Sequence, residues 1–174
     1  MTTKSEIITQ LNQSFNAIQN IFENTDETIF FTRVDSKWSV AENLQHLILS
    51  VNPLNKVFTL PRFALRYFGK MNRAARSYDE IVARYHTKLV QGGVASAAFV
   101  PVLKTGNDKS KLILDFKRTN DKFVKKVNDW NESDLDTYIL PHPLLGKISI
   151  REMLYFTIYH TQHHHAIVKK ITAN

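Results

Sequence analysis

Apolar residues recur at steps of three and four along four long segments of the chain, which is the spacing of amphipathic helices. The first predicted helix covers residues 4–23, and the third covers about 108–130. The second begins at a capping box, Ser39 to Glu42, in which the serine and the glutamate each satisfy a free backbone N–H. A second capping box, Ser149 to Glu152, begins the last helix, which continues to about residue 171.

Proline and glycine interrupt this pattern at a few places. Pro53 is predicted to bend or interrupt the second helix, and Pro61 to end it. A shorter helix is predicted for residues 78–90, and Gly92 and Gly93 are expected to end it.

The segments between the helices are less regular. Residues 62–77 are basic and aromatic without a clear period, and residues 94–106 and 139–146 are predicted to be loops. No internal repeat or linker divides the chain. The sequence therefore predicts an all-α fold, a four-helix bundle with a short extra helix, forming a single domain over residues 1–174.

Composition narrows the class of protein. The chain has 174 residues and no cysteine, which excludes disulfides, thiolate nucleophiles and cysteine-ligated zinc. No apolar run approaches the roughly 18 residues of a transmembrane helix. The first residues lack the basic-then-apolar order of a signal peptide, so a cytoplasmic protein without membrane contact is expected.

The net charge of +7 is concentrated in the middle of the chain. Residues 62–126 carry fifteen lysines and arginines against five acidic residues. Such a segment can attract an anionic substrate, or it can be a solvated surface. No nucleic-acid-binding motif accompanies the charge, so nucleic acid is not an expected partner.

Two histidines fall on the inner face predicted for the last helix. The residues on this face are Ile150, Met153, Thr157, His160, His164, Ile167 and Ile171. Two buried imidazoles are costly unless neighbours hydrogen-bond them or a metal binds both, and the spacing of four residues aims both rings at one point. His163 and His165 are rotated away, toward the helix flank or solvent.

The remaining histidines are less informative. His46 lies in the second helix, near the edge of its apolar stripe, and spacing alone does not select it as a ligand rather than a surface or hydrogen-bonded residue. Glu42, one turn earlier, either fixes the tautomer of that imidazole or serves only in the capping box. His86 is predicted to be exposed, and His142 to lie in a loop near one end of the bundle, without a role in metal binding.

Three segments together resemble the DinB/YfiT-like superfamily. Trp38 to Leu47 resembles its Trp-Ser-x-x-Glu-x-x-x-His-Leu motif, and His142 to Ser149 resembles the lead-in to its last helix. Tyr159 to His164 resembles its His-x-x-x-His motif. The segments occur in the expected order, and the helical layout spans nearly the whole chain.

The resemblance implies a four-helix bundle with a divalent metal, zinc or nickel, held by His46, His160 and His164. Members are described as metal-dependent hydrolases or as thiol-dependent transferases, including enzymes that use bacillithiol. Because three imidazoles leave the ion its full charge, bound water would give a hydrolase and a low-molecular-weight thiol an S-transferase. The S-transferase is the slightly favoured expectation, and the competing class is a non-enzymatic, metal-binding stress-response bundle. A small-molecule substrate and a homodimer are expected, and no catalytic general base stands out.

Overall fold

The computed structural model describes residues 2–104 and 106–173. Within these ranges the chain forms eight α-helices and one two-stranded antiparallel sheet. In chain order the elements are α1 (Lys4–Asn24), α2 (Glu27–Phe31), α3 (Val40–Val57), α4 (Arg62–Leu65), α5 (Tyr78–Val90), α6 (Lys109–Asn128), α7 (Glu132–Thr137), β1 (Ile139–His142), β2 (Gly146–Ser149) and α8 (Ile150–Thr172). A 3₁₀ turn at Ala97–Phe99 lies between α5 and α6.

The four long helices α1, α3, α6 and α8 form the bundle, which confirms the predicted fold class. Helix α3 packs against α6 and α8, and α1 packs against the same two helices from the other side. Helix α5 packs against α8 on the outside of the bundle. One contiguous hydrophobic core fills the space between these helices.

The helices begin where side chains satisfy their first backbone N–H groups. Both predicted capping boxes are present, at Ser39 with Glu42 and at Ser149 with Glu152. Further capping boxes start α1 and α5. Helix α3 passes through Pro53 and ends at Val57, before Pro61, which precedes the short helix α4.

Residues 139–146 are not the predicted loop, because β1 and β2 pair there as a hairpin. Leu140 pairs with Ile148, and both side chains are buried in the core. Pro141 made the segment look irregular, yet it lies in a two-stranded sheet. In such a sheet every strand has an open edge, so a missing N–H need not break the ladder. Gly146 takes a positive φ of 73°, which suits glycine at the end of the turn.

The basic segment 62–77 is also ordered. Its helix α4 buries Leu65, and Lys70 forms an isolated bridge with Tyr138. Arg73 and Arg76 pair with the buried Glu152 at the start of α8. The predicted loop 94–106 contains the 3₁₀ turn, and Thr105 lies outside the described residues.

Within the two described ranges, no helix combines the length and apolar character needed to cross a membrane.

Candidate metal centre

Three histidines from two helices converge in the bundle. Helix α3 supplies His46, and α8 supplies His160 and His164, which lie one turn apart. Each offers one ring nitrogen, and these nitrogens lie within 4.8 Å of one another. All three side chains are buried, with 5% of His46 and 6% of each of the others exposed. The structure therefore brings together the three residues that the sequence analysis selected.

His46 is more deeply buried than its predicted position at the edge of the apolar stripe. The segment between α5 and α6 covers it, and the Phe99 carbonyl lies 2.7 Å from His46 Nδ1. A carbonyl only accepts hydrogen bonds, so Nδ1 carries the proton of the neutral ring. Nε2 of His46 is then left with a free lone pair that points into the cluster.

His164 is oriented in a similar way by a side chain. The Asn43 amide nitrogen donates to the Ser39 carbonyl at 2.8 Å, which turns its Oδ1 toward His164 Nδ1, 2.7 Å away. Nδ1 of His164 therefore donates, and Nε2 keeps its lone pair. The indole of Trp38 stacks on His164, with ring planes 13° apart.

The sequence analysis assigned no role to Asn43 or Trp38. Both lie in the segment from Trp38 to Leu47, and Asn43 lies on α3 three residues before His46. That spacing places the two side chains on neighbouring positions of the helix surface. The position of Asn43 close to His46 could be seen in the sequence, but only the fold shows that Asn43 faces His164.

The ring of the third histidine, His160, lies so that its Nε2 faces the Nε2 of His46. Nε2 of His160 lies 3.1 Å from Nε2 of His46, and Phe156 stacks on the His160 ring. Because the proton of His46 is on Nδ1, either a proton on His160 or a cation must lie between the two nitrogens. Two imidazole ligands of a tetrahedral zinc ion, at about 2.0–2.1 Å each, lie about 3.3 Å apart. The observed separation of this pair is close to that value, and the nitrogen of His164 lies within 4.8 Å of both, so the three donors could hold a divalent ion.

Burial keeps the three rings neutral. Loss of hydration lowers the pKa of His46, although the hydrogen bond with Phe99 opposes the change. Burial, and then repulsion from neighbouring histidines, holds the pKa of His160 and of His164 well below the ordinary value. Neutral imidazole is the form that binds metals, so the cluster is ready to bind at neutral pH.

Glu42 serves in the capping box and does not orient the His46 ring, which were the two roles considered for Glu42. Its carboxylate accepts from the Ser39 backbone N–H and pairs with the Arg33 guanidinium. The Arg33 hydrogen bond is the main reason that the pKa of Glu42 lies below its ordinary value. The capping-box interpretation is therefore correct, and the Phe99 carbonyl fixes the tautomer of His46.

The other histidines lie outside the cluster. His86 is exposed, as predicted, and its Nε2 lies 2.5 Å from the Tyr159 hydroxyl. His163 and His165 are partly buried at the flank of α8. His142 belongs to β1 rather than to a loop, and its side chain lines a cavity.

A cavity of about 150 Å³ borders the cluster on the side of His46 and His160. Its walls come from α3, α5, α8, the segment after α5 and the hairpin. The apolar lining residues include Leu47, Val51, Leu54, Leu89, Val94, Phe99, Leu144, Met153 and Phe156. Among the described residues that line it, none is a lysine or an arginine. A separate depression borders His164 and is lined by Lys37, Trp38 and Lys170.

The fold and the cluster together define a class: a four-helix bundle with a candidate metal centre between two of its helices. The chain belongs to the DinB superfamily, whose family model matches residues 10–168. No curated relative matches the sequence.

Solved structures share the fold at low sequence identity. YfiT from Bacillus subtilis, described as a probable metal-dependent hydrolase with an unusual four-helix bundle topology, is 16% identical, with a TM-score of 0.63 over 98% of this chain and 86% of its own. TT2238, a four-helix bundle protein, is 14% identical, with a TM-score of 0.63 over 97% and 99%. The colibactin self-resistance protein ClbS, solved in complex with double-stranded DNA, is 14% identical, with a TM-score of 0.56 over 98% and 96%.

Proposed function

We propose that the protein is a metal-dependent enzyme that holds a divalent ion, zinc or nickel, through His46, His160 and His164. The observation that carries this proposal is the convergence of three buried, neutral imidazoles beside an apolar cavity. A structural zinc site takes four protein ligands, whereas three protein ligands leave a position for an exogenous one. The small-molecule substrate would bind in the cavity.

The residues around the cluster fix its geometry. Phe99 and Asn43 hold the rings of His46 and His164 so that both Nε2 lone pairs point inward. Trp38 and Phe156 pack against the imidazoles and restrict their rotation. A divalent ion bound there would lower the pKa of a bound water or thiol toward neutrality.

Hydrolysis is the first candidate reaction. The similarity to YfiT supports it, and the apolar cavity without a lysine or arginine suits a neutral substrate. The nucleophilic water needs no binding site beyond the open metal position.

S-transfer from a low-molecular-weight thiol is the second candidate. An anionic thiol would need nearby cations, but Arg73 and Arg76 of the basic segment pair with Glu152. The observation that favours this reaction is a different one: Lys37 and Lys170 line the depression beside His164. A thiol bound there would approach the centre from the side of His164, whereas the apolar cavity borders His46 and His160.

An open coordination position can be tested on protein reconstituted with Co²⁺, which reports its ligands by visible absorption. The probes are azide and 2-mercaptoethanol. We expect each probe to change the spectrum saturably, with a thiolate charge-transfer band for the second. A spectrum that neither probe changes would indicate a closed site and would support the non-enzymatic metal-binding bundle.

The two reactions can then be separated by product analysis. The zinc-loaded protein is incubated with a neutral phenyl ester in ¹⁸O-labelled water, or with monobromobimane and a thiol. Labelled carboxylate would support hydrolysis, and accelerated formation of the bimane thioether would support S-transfer. His164→Ala should abolish either reaction, whereas His163→Ala, a neighbour outside the cluster, should preserve it.

A further inference from the structure

His142 borders the same cavity as the metal centre but belongs to a different element. It is the last residue of β1, and its ring packs against Phe156, with ring centroids 4.2 Å apart. It offers no nitrogen to the cluster of His46, His160 and His164. The metal centre therefore does not explain why a histidine lies at this position.

The backbone of the hairpin turn fixes the tautomer of His142. The N–H groups of Leu144 and Leu145 each donate to His142 Nδ1 at 3.1 Å. A nitrogen that accepts two hydrogen bonds is unprotonated, so the neutral ring carries its proton on Nε2. Burial lowers the pKa of His142 to about 4, which keeps the ring neutral at physiological pH.

The Nε2–H group is therefore a donor held in a fixed direction. Within residues 2–104 and 106–173, no hydrogen bond satisfies it, and the ring lines a mainly apolar cavity. His142 is half-buried, and its Nε2 is not among the buried polar atoms that lack a partner, so a water or a ligand can reach this donor and accept its hydrogen bond. The donor thus marks one point of the cavity wall where an acceptor atom fits.

We propose that His142 is a positioning residue whose Nε2–H donates to the oxygen of a carbonyl, ester or amide ligand with an apolar body. The proposal rests on the proposed function only in taking this cavity as the substrate site. It needs no metal, so it can be tested on metal-free protein. The ligand would then be held by its oxygen at the hairpin and by its apolar body against α3 and α5.

The test compares acetophenone with α-methylstyrene, in which a methylene group replaces the carbonyl oxygen and the shape is kept. Dissociation constants are measured by NMR titration of the metal-free protein. Because one neutral hydrogen bond contributes modestly in net terms, we expect the wild type to prefer acetophenone by about three- to tenfold.

Two variants separate the ligand contact from the structural role of His142. In His142→Asn, the side-chain oxygen replaces Nδ1 as the acceptor of the turn, and the distal N–H is lost. In His142→Gln, the amide N–H reaches the place of Nε2, and the turn acceptor is lost. We expect His142→Asn to keep the Tm and lose the preference, and His142→Gln to lower the Tm and keep the preference.

Tyr85→Phe is the matched control, since Tyr85 also lines the cavity and carries a hydroxyl donor. A preference that survives in His142→Asn, or that is lost in Tyr85→Phe, would overturn the proposal. Equal affinity of the wild type for both probes, or loss of the preference in both His142 variants, would overturn it as well. Metal uptake by the same proteins reports separately on the proposed function.

Discussion

At the scale of single residues, the candidate site depends on which ring nitrogen carries the proton. His46 and His164 each donate from Nδ1, one to a backbone carbonyl and the other to an asparagine oxygen. Such partners of metal-binding histidines fix the ring orientation and raise its basicity. Asn43 is itself held, because its amide nitrogen donates to the Trp38 and Ser39 carbonyls. The start of α3 therefore orients a candidate ligand that lies on α8.

Replacing Asn43 should weaken metal binding without removing a ligand. Asn43→Ala leaves His164 Nδ1 without its acceptor, so we expect zinc affinity to fall by about 10- to 100-fold. Asn43→Asp keeps the acceptor oxygen and should bind zinc more tightly than the alanine variant. Competition with a chelating dye measures these affinities.

Asn55→Ala is a matched control for this loss. Asn55 is also a buried asparagine of α3, but it donates to the Thr119 carbonyl, away from the cluster. The Asn55→Ala substitution should lower the Tm and leave the zinc affinity near that of the wild type. If Asn43→Ala bound zinc as tightly as the wild type, Asn43 would have no part in the centre.

At the scale of elements, the first turn of α8 connects several parts of the fold. Glu152 is fully buried; it accepts from the Ser149 and Arg76 backbone N–H groups and forms a two-point pair with Arg73. Arg151, beside it, pairs with Asp136 on α7. These contacts attach the segment before α5 and the helix before the hairpin to the helix that carries His160 and His164.

Glu152→Gln should destabilise the protein in a pH-dependent way. Burial alone would raise the pKa of Glu152, but the Arg73 hydrogen bonds and the backbone donors outweigh it, so the pKa lies below the ordinary 4.5. The ionised group therefore stabilises the fold above pH 4.5, and that stabilisation is lost as pH falls through the lowered pKa. At neutral pH, breaking a buried pair costs about 3 kcal/mol.

Urea unfolding of the wild type and of Glu152→Gln from pH 7 to pH 3 checks this prediction. The difference in unfolding free energy should be largest at neutral pH and should shrink below pH 4.5. Glu23→Gln, at an exposed residue of α1, serves as the control and should show almost no difference at any pH. A constant difference across the range would contradict the pKa argument.

The elements that were predictable from sequence are those set by local signals. The capping boxes at Ser39 and Ser149 and the apolar period of α8 lie within a few residues of the structure that they specify. Segment 62–77 depends on partners far along the chain; Arg73, for example, pairs with a residue 79 positions away. A single sequence contains no local signal for such pairing, so the structure of this segment was left open. The hairpin is local, since β1 pairs with β2, but Pro141 obscured its strand pattern and the segment was wrongly predicted to be a loop.

At the scale of the whole molecule, the candidate site exists because α3 and α8 are neighbours in the bundle. The inner face of α8 predicted that His160 and His164 would be buried, and the structure confirms their burial. The pattern alone did not select His46; the family resemblance did. Its burial depends on the segment around Phe99, which no periodicity in the sequence could place. The cavity likewise arises only where α5, the hairpin and the bundle meet.

The most direct test of the account is the metal content of untagged protein purified without chelators, measured by inductively coupled plasma mass spectrometry. We predict near-stoichiometric metal in the wild type and in His163→Ala, and its loss in His46→Ala, His160→Ala and His164→Ala. A wild type that holds no metal, and takes up neither zinc nor nickel when they are added, would contradict it. The three histidines would then be hydrogen-bonded core residues, and the basis for an enzyme would be gone.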